Sequence, residues 1–481
     1  MRLPFSLHHP HATTFPMTRP ASTTAPIGDN DISPSRWARF SDRLNGVFSG
    51  ADPRVCVAFW LFGLINNVLY VVLLSAALDL VGPDIPKGIV LLADIIPSFG
   101  TKLIAPYFIH VVPYSVRVIA FVFLSIVGMV VVALSPPYTD GGTIASKIVG
   151  IVLASFSAGA GELSFVGLTH FYGPFSLAAW GSGTGAAGLV GAGAYSLATS
   201  AMGIPVKATL LASALLPFVM AASFFLVLPR DALKPVNSAT GVYYAVERGE
   251  HPSDEEGDED NHNLQTGDEE ERLLGVSAPT AESHKAVHVS ESAAKWAHFR
   301  ANLHRLRKLF FPYMLPLLMV FIAEYVINQG VAPTLLFPLP ATPFENFRAF
   351  YPAYNAIYQA GVFVSRSSTP FFRIHNLYLP SILQLLNLAL LTCHSLFNFI
   401  PSIWLVFLII FWEGLLGGLV YVNTFAEISD RVPEEDREFS LGATTVSDSA
   451  GICIAGFLSM PWELLLCRFQ QIHGREYCRQ I

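Results

Sequence analysis

Of the chain's 481 residues, 52% are hydrophobic and only 14% are charged, with a mean hydropathy of +0.48. A soluble protein of this length needs far more charge to cover its surface, so the composition excludes a soluble globular domain and points to a multi-span membrane protein. The net charge of −7 comes mostly from one acidic stretch and gives no sign of a nucleic-acid partner.

Residues 1–53 are rich in Pro, Thr, Ser and His and lack an apolar core or signal-peptide core. They read as a disordered cytosolic arm. Arg36, Arg39, Arg43 and Arg54 precede the first apolar block, which places the N-terminus in the cytosol by the positive-inside rule. Apolar windows near the ~20 residues that cross a bilayer then give six spans, roughly 55–81, 88–112, 116–135, 144–170, 175–202 and 208–228. Together these form a first bundle over 54–228.

Residues 229–309 break the pattern. Their middle is acidic and poor in aromatics, which favours disorder, and their basic end from Arg300 to Lys308 abuts the next span, so the loop reads as cytosolic. Inside it, Glu269 stands four residues before the pair Leu273–Leu274. That is an acidic dileucine pattern: the leucines suit an apolar groove and the acid a basic patch on a sorting adaptor. The second bundle, 310–467, offers about five spans, roughly 310–338, 347–367, 376–399, 401–426 and 440–467. Eleven crossings leave the tail 468–481, with Arg468, Arg475 and Arg479, on the lumenal side, against the charge rule. The expectation is an all-α polytopic membrane protein with about eleven transmembrane helices in two bundles. A six-span half, a long linker and a second half form a major-facilitator-like outline, with a site expected between the halves near the midplane.

Ionisable groups at membrane depth are costly and mark pathways or binding sites. The first half offers Asn66, Asn67, Asp79, Asp94, Lys102, Glu162, His170 and Tyr195. Asp94 and Lys102 are eight apart on one helix, about 12 Å along its axis, too far for a direct pair. They suit opposite charges of one substrate, or Lys102 snorkels to the interface. Glu162 lies in a block from Ile148 to Thr169 that has no other charge, so it reads as a buried functional carboxylate. The next segment carries Gly181, Gly183, Gly185, Gly188, Gly191 and Gly193. Close helix packing is the favoured reading of that run, and a broken helix exposing backbone to substrate is the other.

In the second half Glu324 and Asn328 are four apart and share a helical face, with Gln329 beside them. Such a carboxylate can take up and release a proton while the amides hold a solute. Tyr354, Asn355, Tyr358 and Gln359 give the following span a polar-aromatic stripe. Glu413, Asn423 and Asp448 are further polar groups in apolar surroundings, and Asp448 also suits a helix N-cap. The five cysteines have no zinc-type spacing, so no metal and no cofactor is expected. Neither H-E-x-x-H nor G-x-S-x-G occurs, so the chain does not read as an enzyme.

Several blocks resemble the battenin family, the lysosomal and vacuolar membrane proteins associated with Batten disease. They are GLINNVLYVVLLSAA at 63–77, GELSFVGLT at 161–169, WGSGTGAAGLVG at 180–191, AEYVINQG at 323–330, YVNTF at 421–425, REF at 437–439 and SDSAG at 447–451. The arm and layout are similar to the fungal vacuolar branch. The resemblance implies a major-facilitator-like fold, a vacuolar membrane location and links to vacuolar pH. It also implies links to basic amino acids such as arginine and to glycerophosphodiesters. The leading expectation is therefore a transporter of a small polar solute, with proton coupling as an open option. The alternative is a non-transporting regulator of acidification or trafficking that acts through its cytosolic loop.

Overall fold

A computed structural model describes residues 49–76, 80, 88–107, 109–136, 141–233, 300, 303–475 and 478. Asp79, the arm before residue 49 and the dileucine at Glu269, Leu273 and Leu274 lie outside the described residues.

The described chain is helical. In the first half the long helices are α1 (Pro53–Ser75), α2 (Gly88–Ile104), α3 (Tyr114–Leu134), α4 (Gly141–Leu168) and α5 (Pro174–Ser196). A sixth crossing is built from two pieces, α6 (Val206–Ser213) and α7 (Leu216–Ala222), with Pro217 in the first turn of the second. Proline cannot donate to the preceding turn, which explains the break. The second half contains α8 (Leu315–Val326), α9 (Phe350–Arg366), α10 (Tyr378–Phe397), α11 (Ile403–Arg431), a short α12 (Glu434–Thr444) and α13 (Val446–Ile472).

Local chemistry sets several of these ends. Asp52 caps α1, its carboxylate accepting the Arg54 N–H at 2.8 Å with Pro53 in the first turn. Ser402 caps α11 in the same way. Tyr172, in the turn between α4 and α5, donates to the Pro229 carbonyl at 2.7 Å. Burial pushes its hydroxyl up to about 12, so it remains a donor.

Among the described residues, nine helical segments are long and apolar enough to cross a membrane. The helices left out, α5 and α9, are glycine-rich and short with a polar stripe, respectively. They need less apolar surface because they pack against each other and against their neighbours inside the protein. Counting them gives eleven helical segments among the described residues, the number expected from the sequence.

Side-chain bonds join the ends of these segments. Lys147 near the start of α4 donates to Leu80 O, beyond the last turn of α1. Arg305 pairs with Asp436 of α12. Gln470, near the end of α13, donates to Thr334 O and Ser395 O, so α13 ends beside the last turn of α10. Arg475 there donates to Ser395 O and Leu396 O at the last turn of α10. Those carbonyls have no partner within the helix, so Arg475 serves as a helix cap.

The glycine segment is one continuous helix, α5, and the broken-helix reading is not what the structure has. Its backbone meets α1 at Gly183: a methyl group there would overlap the Trp60 carbonyl and reach Leu64 N. Gly63 faces α5 with the same tightness, against Trp180 O and Thr184 N. Gly183→Leu is therefore expected to cost about 1–3 kcal/mol or more through overpacking. Gly193 has open space around it, so Gly193→Ala is expected to stabilise by about 0.5–1 kcal/mol. Thermal unfolding of both variants in detergent checks the contrast.

Candidate functional site

The site begins with one lysine. Lys102 lies near the end of α2, where the helix would let its stem reach an interface, yet it is only 2% exposed. Its ammonium donates to Glu162 Oε2 of α4 at 2.6 Å, to Asp448 Oδ1 of α13 at 3.0 Å and to Ser449 Oγ at 2.8 Å. An ammonium has three donors, and all are taken. Snorkelling is thus excluded, and Lys102 has no N–H left to hold a solute directly, which corrects that expectation. Asp448 is not an N-cap: it sits in the first turn of α13, after Val446 and Ser447. There the helix N-terminus favours its negative charge.

The network continues upward from Glu162. Its other oxygen accepts Tyr421 Oη of α11 at 2.8 Å, and Tyr421 in turn accepts Trp180 Nε1 of α5 at 3.3 Å. The Arg366 guanidinium of α9 lies 4.1 Å from the centre of the Tyr421 ring and donates to Thr184 Oγ1 at 2.9 Å. Six helices, three from each half, therefore share one polar layer. Ser182–Ser367 (2.9 Å) and Tyr114–Glu438 (2.5 Å) add further bonds between the halves.

This layer forms one end of a cavity of about 110 Å³ between the halves. That is several times the space one water requires. The first half lines it with Asn66, Asn67, Tyr70 and Asp94. The second half contributes Tyr325, Tyr358, Gln359 and Arg366. Asn66 is oriented by its amide, which donates to Ala158 O of α4 at 3.1 Å, while Gly161 leaves room for its oxygen. Gln359 fits against α5 because position 188 is glycine.

A second polar group lies beside the cavity in the second half. Glu324 is 1% exposed and accepts Tyr358 Oη, so Tyr358 joins it to the cavity. Glu413 is fully buried and accepts Asn328 Nδ2 at 3.3 Å. One oxygen of each carboxylate, Oε2, has no hydrogen-bond partner. Gly417 makes the space: any side chain there would overlap the Glu324 carboxylate. Asn328 and Gln329 sit in a π-helical turn, Ile327–Val331, a departure from α geometry often found at functional sites. Asn328 is occupied by Glu413 and by Glu324 O (3.1 Å), and Gln329 bonds Tyr351 rather than lining the cavity.

The structure thus brings Asp94, Lys102, Glu162 and Asp448 to one cavity, and Glu324, Asn328 and Glu413 to a second group beside it. Arg366, Tyr421 and Trp180 were not among the residues singled out from sequence. Arg366 had a signal: it follows Gln359 by seven residues, two helical turns down the stripe of α9. A second cleft, about 190 Å³, opens beside α3, α4 and α12; within it Tyr114 donates to Glu438, and Arg305 at its edge pairs with Asp436.

Comparison with known proteins adds three findings. The profile of the family described as CLN3 protein matches residues 57–469. Protein btn1 of Aspergillus fumigatus is 71% identical over 451 residues, covering 93% of this chain and 95% of that protein. Protein BTN1 of Yarrowia lipolytica is 45% identical over 425 residues, covering 88% of this chain and 97% of that protein. Among solved structures, a human organic anion transporter superposes with a TM-score of 0.53 at 12% identity, covering 89% of this chain and 99% of that one. A major-facilitator proton:xylose symporter does so with a TM-score of 0.53 at 9% identity, covering 89% and 92%. At such identities the likeness shows the fold alone, and that fold is major-facilitator-like, as the layout of the sequence suggests.

The Lys102 cluster generates a stability prediction. Lys102→Met leaves Glu162 and Asp448 buried without their cation, and is expected to cost about 3–5 kcal/mol. Combining it with Glu162→Gln and Asp448→Asn removes the stranded charges and should recover much of the loss. Thermal unfolding in detergent across the single, double and triple variants checks this. Equal destabilisation by the single and the triple variant would refute the account.

Proposed function

The chain belongs to the CLN3 protein family, and from that premise we propose that it is a membrane transporter for small polar solutes. The observation that carries the reading is the cavity between the halves, lined by charged and amide side chains in a chain that is otherwise apolar. A polar chamber at the junction of two helical bundles is where transporters of this architecture hold their cargo. The solutes in view are basic amino acids such as arginine, or glycerophosphodiesters, and the membrane is that of the vacuole, with an influence on vacuolar pH. Glu324 serves as a proton carrier: it is buried, keeps one oxygen unpartnered and reaches the cavity through Tyr358. The proposal places the N-terminus in the cytosol, gives delivery to a sorting adaptor that reads Glu269, Leu273 and Leu274, and assigns no enzymatic step or cofactor to the chain.

The direct test is efflux from proteoliposomes loaded with arginine, lysine and a set of glycerophosphodiesters, with and without an inside-acid gradient. Selective, gradient-sensitive loss of one solute is expected. Retention of all of them by demonstrably folded protein would overturn the transporter reading. In the same assay Glu324→Gln is expected to reduce the response to the gradient at least tenfold while folding and vacuolar delivery persist. Leu273→Ala with Leu274→Ala is expected to leave transport intact and move the protein away from the vacuolar membrane in fluorescence imaging.

A further inference from the structure

We propose that the Lys102 layer binds a proton of its own, shared between Glu162 and Asp448, and that this proton joins the two halves. The site follows from the geometry of the layer; its use in a transport cycle rests on the transporter reading.

The ionised side chains of the layer do not balance. Lys102 supplies one ammonium and bonds two carboxylates, Glu162 Oε2 at 2.6 Å and Asp448 Oδ1 at 3.0 Å. All three side chains are buried. A third buried carboxylate, Asp94, lies on the same helix as Lys102 and borders the same cavity. The neighbouring helices offer no cation to make up the difference. Tyr421 of α11, Trp180 of α5 and Ser449 of α13 are neutral donors, and Tyr70 of α1 and Tyr325 of α8 border the cavity as phenols. The cavity's other cation, Arg366 of α9, stacks on the Tyr421 ring, bonds Thr184 and has the Glu324 carboxylate of α8 in its field. With both partners ionised, Lys102 and its two carboxylates carry a net charge of −1 out of contact with water. Uptake of a proton is the ordinary way a buried group sheds such a charge.

The contacts also say where the proton sits. Glu162 and Asp448 lie within hydrogen-bonding reach of each other. Ionised carboxylates only accept, so a bond between two of them requires a proton on one. Both oxygens of Glu162 already accept, from Lys102 Nζ and from Tyr421 Oη. Asp448 Oδ1 accepts from Lys102 Nζ and from the Ser449 N–H. Asp448 Oδ2 is the oxygen left to carry the proton and donate it toward Glu162. The proton belongs to the pair rather than to either residue.

The pair spans the two halves, since Glu162 is on α4 and Asp448 on α13. When the halves part, Lys102 stays with Glu162, and that couple is neutral without the proton. Asp448 leaves with α13 and meets water. Its O–H bond breaks, the electron pair stays on the carboxylate, and water takes the proton; closure reverses the step. Rocking of the halves thus gives up and regains one proton at this layer, separate from any that Glu324 carries.

The test is infrared spectroscopy of the purified full-length protein in lipid nanodiscs at neutral pH. A protonated carboxyl shows a carbonyl stretch that a carboxylate lacks. Glu162→Gln and Asp448→Asn are each expected to remove the band of one protonated carboxyl. The triple variant that adds Lys102→Met, which has no stranded charge, is expected to remove no more than either single change, because all three variants lose the same proton. Loss of two bands in the triple variant shows two separate protons, and loss of none shows an unprotonated layer; either overturns the shared proton. In proteoliposomes, Asp448→Asn is expected to lower the number of protons exchanged per solute by one. An unchanged ratio overturns release of the proton during the cycle. The infrared pattern without efflux of any solute keeps the shared proton and overturns the transporter reading alone.

Discussion

The fold depends on a single lysine that is not allowed to reach water. Lys102 arrives on α2 of the first half and is met by Glu162 from the same half and Asp448 from the other. Taking an ammonium out of water costs several kcal/mol, and the loss is offset only where acceptors with good geometry surround it. Here the acceptors come from both halves, so the full compensation of Lys102 requires the halves to be together. The contact is a lock whose strength is conditional on assembly: separating α2 from α13 strands Asp448 and leaves Lys102 with Glu162 alone. An apolar contact of the same area would hold the halves just as well but would not fix their register so sharply.

Everything else polar in the central region is organised around that layer. Tyr421 extends it to Trp180 and supports Arg366, and Ser182–Ser367 and Tyr114–Glu438 form further bonds. These bonds join the halves around the layer, whose residues border the cavity. In a transporter built from two bundles that rock about a central site, bonds of this kind make and break as access alternates. Hydrogen bonds suit that task better than interdigitated methyl groups, because water can replace each partner when the halves part.

Much of this was legible in the sequence, for reasons that can be stated residue by residue. The spans were legible because a bilayer imposes length and apolarity, and the helices fall where those windows lie. Glu162 and Glu324 were legible because a carboxylate in a long uncharged block has no surface to occupy. The role of Lys102 was not. Its partners are 60 and 346 residues away, and no periodicity reports such a pairing. Arg366 was not legible for a related reason: at the end of a span, an arginine that faces lipid headgroups and one that turns inward over a tyrosine have the same sequence neighbourhood. Only the stripe of α9 tells them apart. Arg475 misled in the opposite direction, since a charge used to cap α10 carries no information about sidedness.

The two helices that fall short of membrane apolarity show how the site is made possible. Neither α5 nor α9 carries enough apolar surface to face lipid on all sides, and each is shielded by the other. Glycines on α5 remove the side chains that would keep α1 and α9 at a distance, so that Trp60, Gln359 and Arg366 press against its backbone. Close packing on one side of α9 then leaves its polar stripe no place to go but inward, where Tyr358 meets Glu324 and Gln359 borders the cavity. The polarity of α9 is thus a consequence of the smallness of α5. Enlarging the glycine face would do more than strain a helix contact. It would push the tyrosine, the amide and the guanidinium out of the chamber together, and with them the chemistry that distinguishes this cavity from an ordinary packing defect.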